Sequence, residues 1–282
     1  MQFGEKTMAV VAKCHRLTPA VLLFLVTANV FAQPQPEPQG YAPRVGQPGK
    51  DVVWVPTPES LVGKMLDIAK LTPDDYLIDL GSGDGRTVIT AAKRGTRAHG
   101  IEYNPEMVEL SKRNAAEEGI SDRATFAKAD LFQSDFSQAT VITMFLLPQI
   151  NLKLRPKILD LKPGTRIVSN SFTMGEWEED ESASVGDDCS GWCTALLWIV
   201  PAKVEGIWKL TDGELVLKQS FQKISGTIKS GNRIVPIVSG RLRGEEIYIR
   251  TNDDEYRGRV SRDTIVLTSK SGAEWQATRA GR

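Results

Sequence analysis

Tyr76-Leu77-Ile78-Asp79-Leu80-Gly81-Ser82-Gly83-Asp84-Gly85-Arg86 is the stretch on which the reading of this chain turns. Tyr76 to Asp79 has the character of a buried strand, Gly81, Gly83 and Gly85 follow, and Thr87 to Arg94 suits a helix. The pattern predicts a strand, a tight glycine turn and a helix N-terminus. Glycines serve such a turn because the backbone must take positive φ and a ligand must approach without meeting a Cβ. Asp79 and Asp84 make the turn acidic, which disfavours a pyrophosphate and suits a ligand carrying an amine or a sulfonium. The spacing G-x-G-x-G also departs from the dinucleotide fingerprint G-x-G-x-x-G.

About 20 residues on, where a nucleotide-binding βαβ unit carries an acid at the end of its second strand, the chain reads A-H-G-I-E-Y-N-P and places Glu102. A carboxylate there accepts hydrogen bonds from both ribose hydroxyls. Together these residues resemble the class I S-adenosylmethionine-dependent methyltransferases, whose first motif is D-L-G-x-G-x-G and whose second strand ends in an acid. A glycine turn in another α/β protein is the alternative. The resemblance implies S-adenosylmethionine as cofactor, held by Asp79, Gly81, Gly83, Asp84, Gly85 and Glu102.

Composition is that of an ordinary globular protein: 282 residues, 41% hydrophobic, with 35 basic and 35 acidic side chains. That length suggests two domains, and the charge balance gives no electrostatic case for nucleic acid or an anionic membrane. The first 32 residues read as an export signal. Lys6, Lys13 and Arg16 precede an apolar run from Leu17 to Phe31, and Val30-Phe31-Ala32 supplies a cleavage site after Ala32. At ~15 residues the run is short of a bilayer span; an uncleaved anchor is the alternative. Residues 33–52, with Pro34, Pro36, Pro38, Pro43 and Pro48, read as an extended linker unable to bury a core.

The folded body is expected from Val53. Leu61, Met65, Ile68 and Ala69 have helical spacing, with Thr57 as cap and Pro58 in the first turn. In the methyltransferase resemblance this segment closes over the cofactor, so Thr57 and Glu59 face its methionine end; a plain cap and a surface acid are the other reading. Pro105 to Glu118 is expected as a helix, Ala124 to Ala129 as a strand, and Thr140 to Phe145 as a strand buried on both faces. The resemblance puts Asp130 on the adenine amine and Leu131 against the ring, a turn aspartate being the alternative. Phe145 and Pro148, with Thr57, are the acceptor-side candidates, because ligands collect where strand order reverses. No general base is identified.

Leu146 to Lys157 and Leu161 to Ser169 carry a narrower likeness. They resemble the small protein-lysine methyltransferases typified by the enzyme that modifies the ATP synthase c-subunit and, more distantly through Thr57-Pro58-Glu59, the Dot1-like histone lysine methyltransferases. The resemblance spans roughly residues 55–177. It implies a protein lysine as methyl acceptor; a small-molecule acceptor, or an exported binding or sensory protein on a degenerate scaffold, are the alternatives.

Glu176 to Asp188 reads as an acidic insertion, followed by Cys189 and Cys193. An oxidising compartment favours joining those two cysteines, reduced thiols being the second reading; no metal site is expected. Ala195 to Val200 is read as the last strand of the sheet. Beyond Lys203, short alternating runs at Leu215, Ile224, Ile234, Ile247 and Thr264, punctuated by Gly and Asn, predict an antiparallel meander, a small barrel or sandwich. Its arginines, among them Arg241 and Arg243, read as solvated strand faces.

The expected organisation is a signal peptide over 1–32, a linker over 33–52, a Rossmann-like α/β methyltransferase domain with helices on both faces of its sheet over 53–201, and a small all-β domain over 202–282. The mature chain is expected to be exported and not inserted in the membrane, with a protein substrate and no nucleic-acid partner.

Overall fold

The computed structural model describes residues 40–186 and 189–281; the expected signal peptide and the start of the linker lie outside them. In chain order the first half runs α1 (Glu59–Ile68), β1 (Tyr76–Leu80), α2 (Arg86–Lys93), β2 (Arg97–Glu102), α3 (Pro105–Glu117), β3 (Ala124–Lys128), β4 (Val141–Met144), α4 (Pro148–Leu159), β5 (Arg166–Asn170), β6 (Glu181–Ser184) and β7 (Thr194–Ile199). The strands form one sheet in the order β3-β2-β1-β4-β5-β7-β6. β1 to β5 are mutually parallel, and β7 lies antiparallel between β5 and β6.

Side-chain alternation along each strand divides the core in two. Leu77, Val141, Val168 and Leu197 point to the face covered by α1, α2 and α3, whereas Ile78, Ile142, Ile167 and Trp198 point to the face covered by α4. Helices therefore sit on both faces of the sheet.

The second half is a closed antiparallel barrel of eight strands: β8 (Gly206–Leu210), β9 (Gly213–Ser220), β10 (Lys223–Ser230), β11 (Arg233–Arg243), β12 (Glu246–Arg250), β13 (Glu255–Ser261), β14 (Thr264–Ser269) and β15 (Glu274–Arg279). Pairing of Arg279 with Trp208 joins the last strand to the first, which removes both open edges. Trp208, Leu215, Leu242, Ile247 and Ile265 fill its interior.

Four local expectations are corrected. Thr57 does not cap α1: Pro58 occupies that position, and no side chain caps the helix. Residues 40–52 are not a free linker, because Pro48 bridges to Val53 and Val52 packs on the core. The acidic stretch is not merely an insertion, since it contains the fully buried Trp177 and supplies β6 at the edge of the sheet, beside β7, the last strand in chain order. Two of the barrel arginines are not simply solvated: Arg241 pairs with Asp180 at 2.6 Å and Arg243 with Glu181 at 3.6 Å, across the junction with the first domain. Phe221 stacks on Trp177 at that junction, with ring centroids 6.1 Å apart.

Candidate functional site

Strand order reverses between β1 and β4, and at such a switch point the loops leaving the carboxyl ends of the two strands part to leave a crevice. A cavity of about 520 Å³ opens there, walled by residues that follow β1, β2, β3, β4 and β5. Its volume is in the range of small-ligand sites.

The glycine loop forms the floor. The amides of Gly81 and Ser82 both donate to the Ile101 carbonyl, at 2.9 and 3.1 Å, which fixes the loop against the end of β2. Gly83 has φ of +53°, and a Cβ there would stand 2.7 Å from Trp54 Nε1. Gly85 has φ of +84°, but its Cβ would meet the Phe126 ring at 2.8 Å and Ser111 Cβ at 2.9 Å. Gly81 and Gly83 line the cavity and Gly85 does not. Gly85 is thus a packing glycine between α2, α3 and β3, a correction to its expected place among cofactor contacts.

Glu102 and Asp79 are two of the acids that line the cavity beside the glycine loop. Glu102 Oε2 accepts from the Gly83 amide at 3.0 Å and Oε1 from the Asn104 amide at 2.9 Å, so the carboxylate is oriented before any ligand arrives. Asp79 is 6% exposed and accepts from Thr143 Oγ1 at 2.7 Å. Burial pushes its pKa up to about 7, assisted by the charges of Glu102 and Asp84 and opposed by the Thr143 hydrogen bond. A buried acid in this state is a receptor for a cation.

Asp84 lines the cavity, but its carboxylate is taken up by Arg86, whose Nε lies 3.0 Å from Oδ1 and whose Nη2 lies 2.6 Å from Oδ2. Arg86 Nη1 also donates to the Thr57 carbonyl at 3.0 Å. The pair therefore clamps the entry to α1 onto the glycine loop. Thr57 is buried on the cavity wall, with Asn170 Nδ2 donating to its hydroxyl at 3.4 Å.

At the other end, Asp130 accepts from Lys50 Nζ at 2.7 Å and from the Phe132 amide at 2.9 Å. The Lys50 hydrogen bond is the main reason its carboxyl titrates below the usual range. Lys50 also lies 4.7 Å over the Tyr103 ring, so residues 47–54 cross this end of the cavity as a strap. Leu131 lines the same end.

The wall beyond β4 is aromatic. Phe145 stacks on Phe172 with centroids 5.8 Å apart and meets Trp192 edge-on at 5.9 Å. Trp192 belongs to the loop closed by the Cys189–Cys193 disulfide. Pro148, expected on this wall, stands exposed at the first position of α4 and outside the cavity, because its fixed φ suits a helix start; Leu146, Leu147 and Ile150 line the cavity in its stead.

Lys50, Trp54, Arg86, Phe172 and Trp192 were not marked by sequence. Arg86 had a local signal, directly following the glycine loop; Trp192 had a weaker one, an aromatic residue between paired cysteines. Lys50 had none, since its partner lies 80 positions away.

The residues fit S-adenosylmethionine: a glycine cradle that a Cβ would fill, an oriented carboxylate for a ribose, and a buried acid for an ammonium. Comparison with known proteins agrees. The ANTKMT methyltransferase domain family matches residues 79–181. A protein-lysine N-methyltransferase of Saccharolobus islandicus is 46% identical over 139 residues, which cover 48% of this chain and 86% of that protein. The human lysine N-methyltransferase of the ATP synthase c-subunit is 39% identical over 113 residues, 40% of this chain and 48% of its own, so the chain spans about half the length of that relative. Among solved structures, an RNA methyltransferase from Salinibacter ruber in complex with S-adenosyl-L-homocysteine is 44% identical, with a TM-score of 0.50, covering 53% of this chain and 96% of that one.

Proposed function

The chain belongs to the S-adenosylmethionine-dependent protein-lysine N-methyltransferases, and on that premise we propose that it methylates the side-chain amine of a lysine in a protein. The observation that carries this reading is the division of one cavity into an acidic end and an aromatic end. Asp79 and Glu102 flank the glycine loop on one side of the β1/β4 crevice, and Phe145 and Phe172 close the other.

The cofactor supplies a methyl group activated on a sulfonium. The chain's own residues orient and shield. Glu102 would hold the ribose, Asp79 the ammonium, and Asp130 and Leu131 the adenine, for which Lys50 would have to yield the Asp130 carboxylate. Transfer needs the acceptor nitrogen in line with the methyl–sulfur bond, and alignment of that kind can remove a substantial part of the barrier. A lysine attacks only as the neutral amine, so its proton passes to solvent before transfer, and Phe145, Leu146 and Phe172 line the path of the side chain.

RNA is the second reading, prompted by the Salinibacter neighbour. The balance of 35 basic and 35 acidic residues gives this chain no phosphate-binding field, which favours protein. Incubation of the full chain with methyl-labelled S-adenosylmethionine and separated protein, RNA and metabolite fractions of the native cell tests this. Label is expected on lysine side chains of protein; label confined to RNA or metabolites would overturn the acceptor assignment.

The location belongs to the same proposal: export, with cleavage after Ala32. It is supported by the basic and apolar N-terminal segments and the paired cysteines. N-terminal sequencing of the native protein is expected to begin at Gln33, and a product retaining Met1 would contradict it.

A further inference from the structure

Three aromatic rings meet at the end of the cavity away from Glu102 and Asp130, and each comes from a different strand end. Phe145 follows β4, Phe172 follows β5, and Trp192 precedes β7. The sheet brings them together: Met144 pairs with Ser169, Asn170 pairs with Ala195, and the Ser171 amide donates to the Thr194 carbonyl at 2.8 Å.

Trp192 is the unusual member. It is 49% exposed, on the wall of a cavity, and so offers ring surface to whatever enters there. Its backbone takes φ of +54°, which a bulky residue adopts only when its surroundings hold it there. The disulfide between Cys189 and Cys193 closes the loop around it, and the Cys193 carbonyl accepts from the Val185 amide at 3.0 Å, tying the loop to the strand edge. The loop is therefore anchored on both sides of the ring it presents.

We propose that Trp192 is an acceptor-specificity residue: with Phe145 and Phe172 it forms the wall on which the methylene stem and the methylated nitrogen of the acceptor lie, and the Cys189–Cys193 bond holds it in that wall. This rests on the methyl-transfer reading of the cavity. Aromatic faces attract alkylammonium groups through the ring quadrupole and cover methylene groups at the same time. The cofactor end is anchored on β1 and β2 instead, so opening the disulfide loosens the acceptor end alone.

The test uses the full chain saturated with S-adenosylhomocysteine and, as probe, the N-acetyl amide of Nε-trimethyllysine, with binding read from the Trp indole resonances. Trp192→Ala is expected to weaken the probe about fivefold or more, Trp192→Phe to retain most of the affinity, and both to bind S-adenosylhomocysteine as the parent does. The norleucine analogue, which lacks the ammonium, is expected to bind more weakly than the probe. Dithiothreitol is expected to weaken probe binding in the parent and to have no further effect in Trp192→Ala. Trp192 is half exposed, so its loss does not open the core. A parent that binds S-adenosylhomocysteine but not the probe, or a Trp192→Ala variant that binds the probe undiminished, would overturn the proposal. Failure to bind S-adenosylhomocysteine at all would instead remove the methyl-transfer reading on which it stands.

Discussion

Lys50 Nζ lies 2.7 Å from Asp130 Oδ2, joining a segment that precedes the first helix to the residue that follows β3. The contact closes the strap of residues 47–54 over this end of the cavity, and in the proposed binding mode it would compete with the adenine amine for the same carboxylate.

Releasing the strap is therefore expected to change the rates of cofactor exchange. Lys50→Ala should speed association of S-adenosylmethionine by about two- to fivefold, the scale of an exposed ion pair that the cofactor must otherwise break, and the difference should shrink as salt rises. Stopped-flow fluorescence measures both. An unchanged association rate at low salt would show that the strap does not gate the site.

Asp79 makes a prediction about pH in which one substitution acts oppositely on stability and binding. Its folded pKa of about 7 lies above the ordinary aspartate value of 3.8, so the folded state holds the proton more tightly. The stability this contributes is complete below about pH 4 and is lost as pH rises through 7. At pH 8 the buried charge is a burden. Asp79→Asn, which still accepts from Thr143, should then stabilise the cofactor-free protein at pH 8 by roughly 2 to 4 kcal/mol and do little at pH 4. The same variant should bind S-adenosylmethionine more weakly, having lost the partner of its ammonium. Thermal melts at the two pH values and a cofactor titration check the pair of effects; no gain at pH 8 would mean the carboxylate is not desolvated.

Gly83 and Gly85 separate ligand glycine from packing glycine. Gly83→Ala should weaken the cofactor with the smaller loss of stability, because its clash is with Trp54, a partly exposed residue of the strap, rather than with the core. Gly85→Ala should lower the melting temperature more, by the equivalent of about 2 kcal/mol or above, since Phe126 and the body of α3 enclose it. Equal effects on both readouts would dissolve the distinction.

The junction between domains yields a fourth expectation. Phe221 covers Trp177, Gln222 Nε2 donates to the Glu178 carbonyl at 2.7 Å, and Arg241 pairs with Asp180 at 2.6 Å. Phe221→Ala should cost about 2 kcal/mol, below a fully buried phenylalanine because this one is partly exposed, and should leave cofactor affinity unchanged. A truncated body ending at Pro201 should melt lower than the full chain by differential scanning calorimetry. A truncated body as stable as the parent would show the barrel to be an independent appendage.

What the sequence made legible was whatever a short window encodes. The switch from a buried run to three glycines and a helix stands within Tyr76 to Arg86, and the acid at Glu102 stands at a spacing that the βαβ unit dictates. Alternating strands and turn residues marked an antiparallel second domain, but its closure depends on Arg279 meeting Trp208, which no local pattern carries. Gly85 looked like Gly83 because a glycine needed for packing and one needed for a ligand are the same residue in text. Proline and glutamine around Lys50 suggested solvent, yet the strap is held by contacts with Asp130, Tyr103 and its own bridge to Val53. Charge likewise disguised residues 176–186, where Trp177 is fully buried among acids.

The central claim is that the cavity over the glycine loop binds S-adenosylmethionine with Glu102 on its ribose. Calorimetric titration of the full chain with S-adenosylmethionine, parent against Glu102→Ala, tests it most directly. Loss of a charged acceptor costs roughly 1.5 to 3 kcal/mol, so the account predicts saturable binding by the parent and a Kd raised about tenfold to a hundredfold in the variant. A parent that gives no binding, or a variant that binds as tightly as the parent, would contradict it.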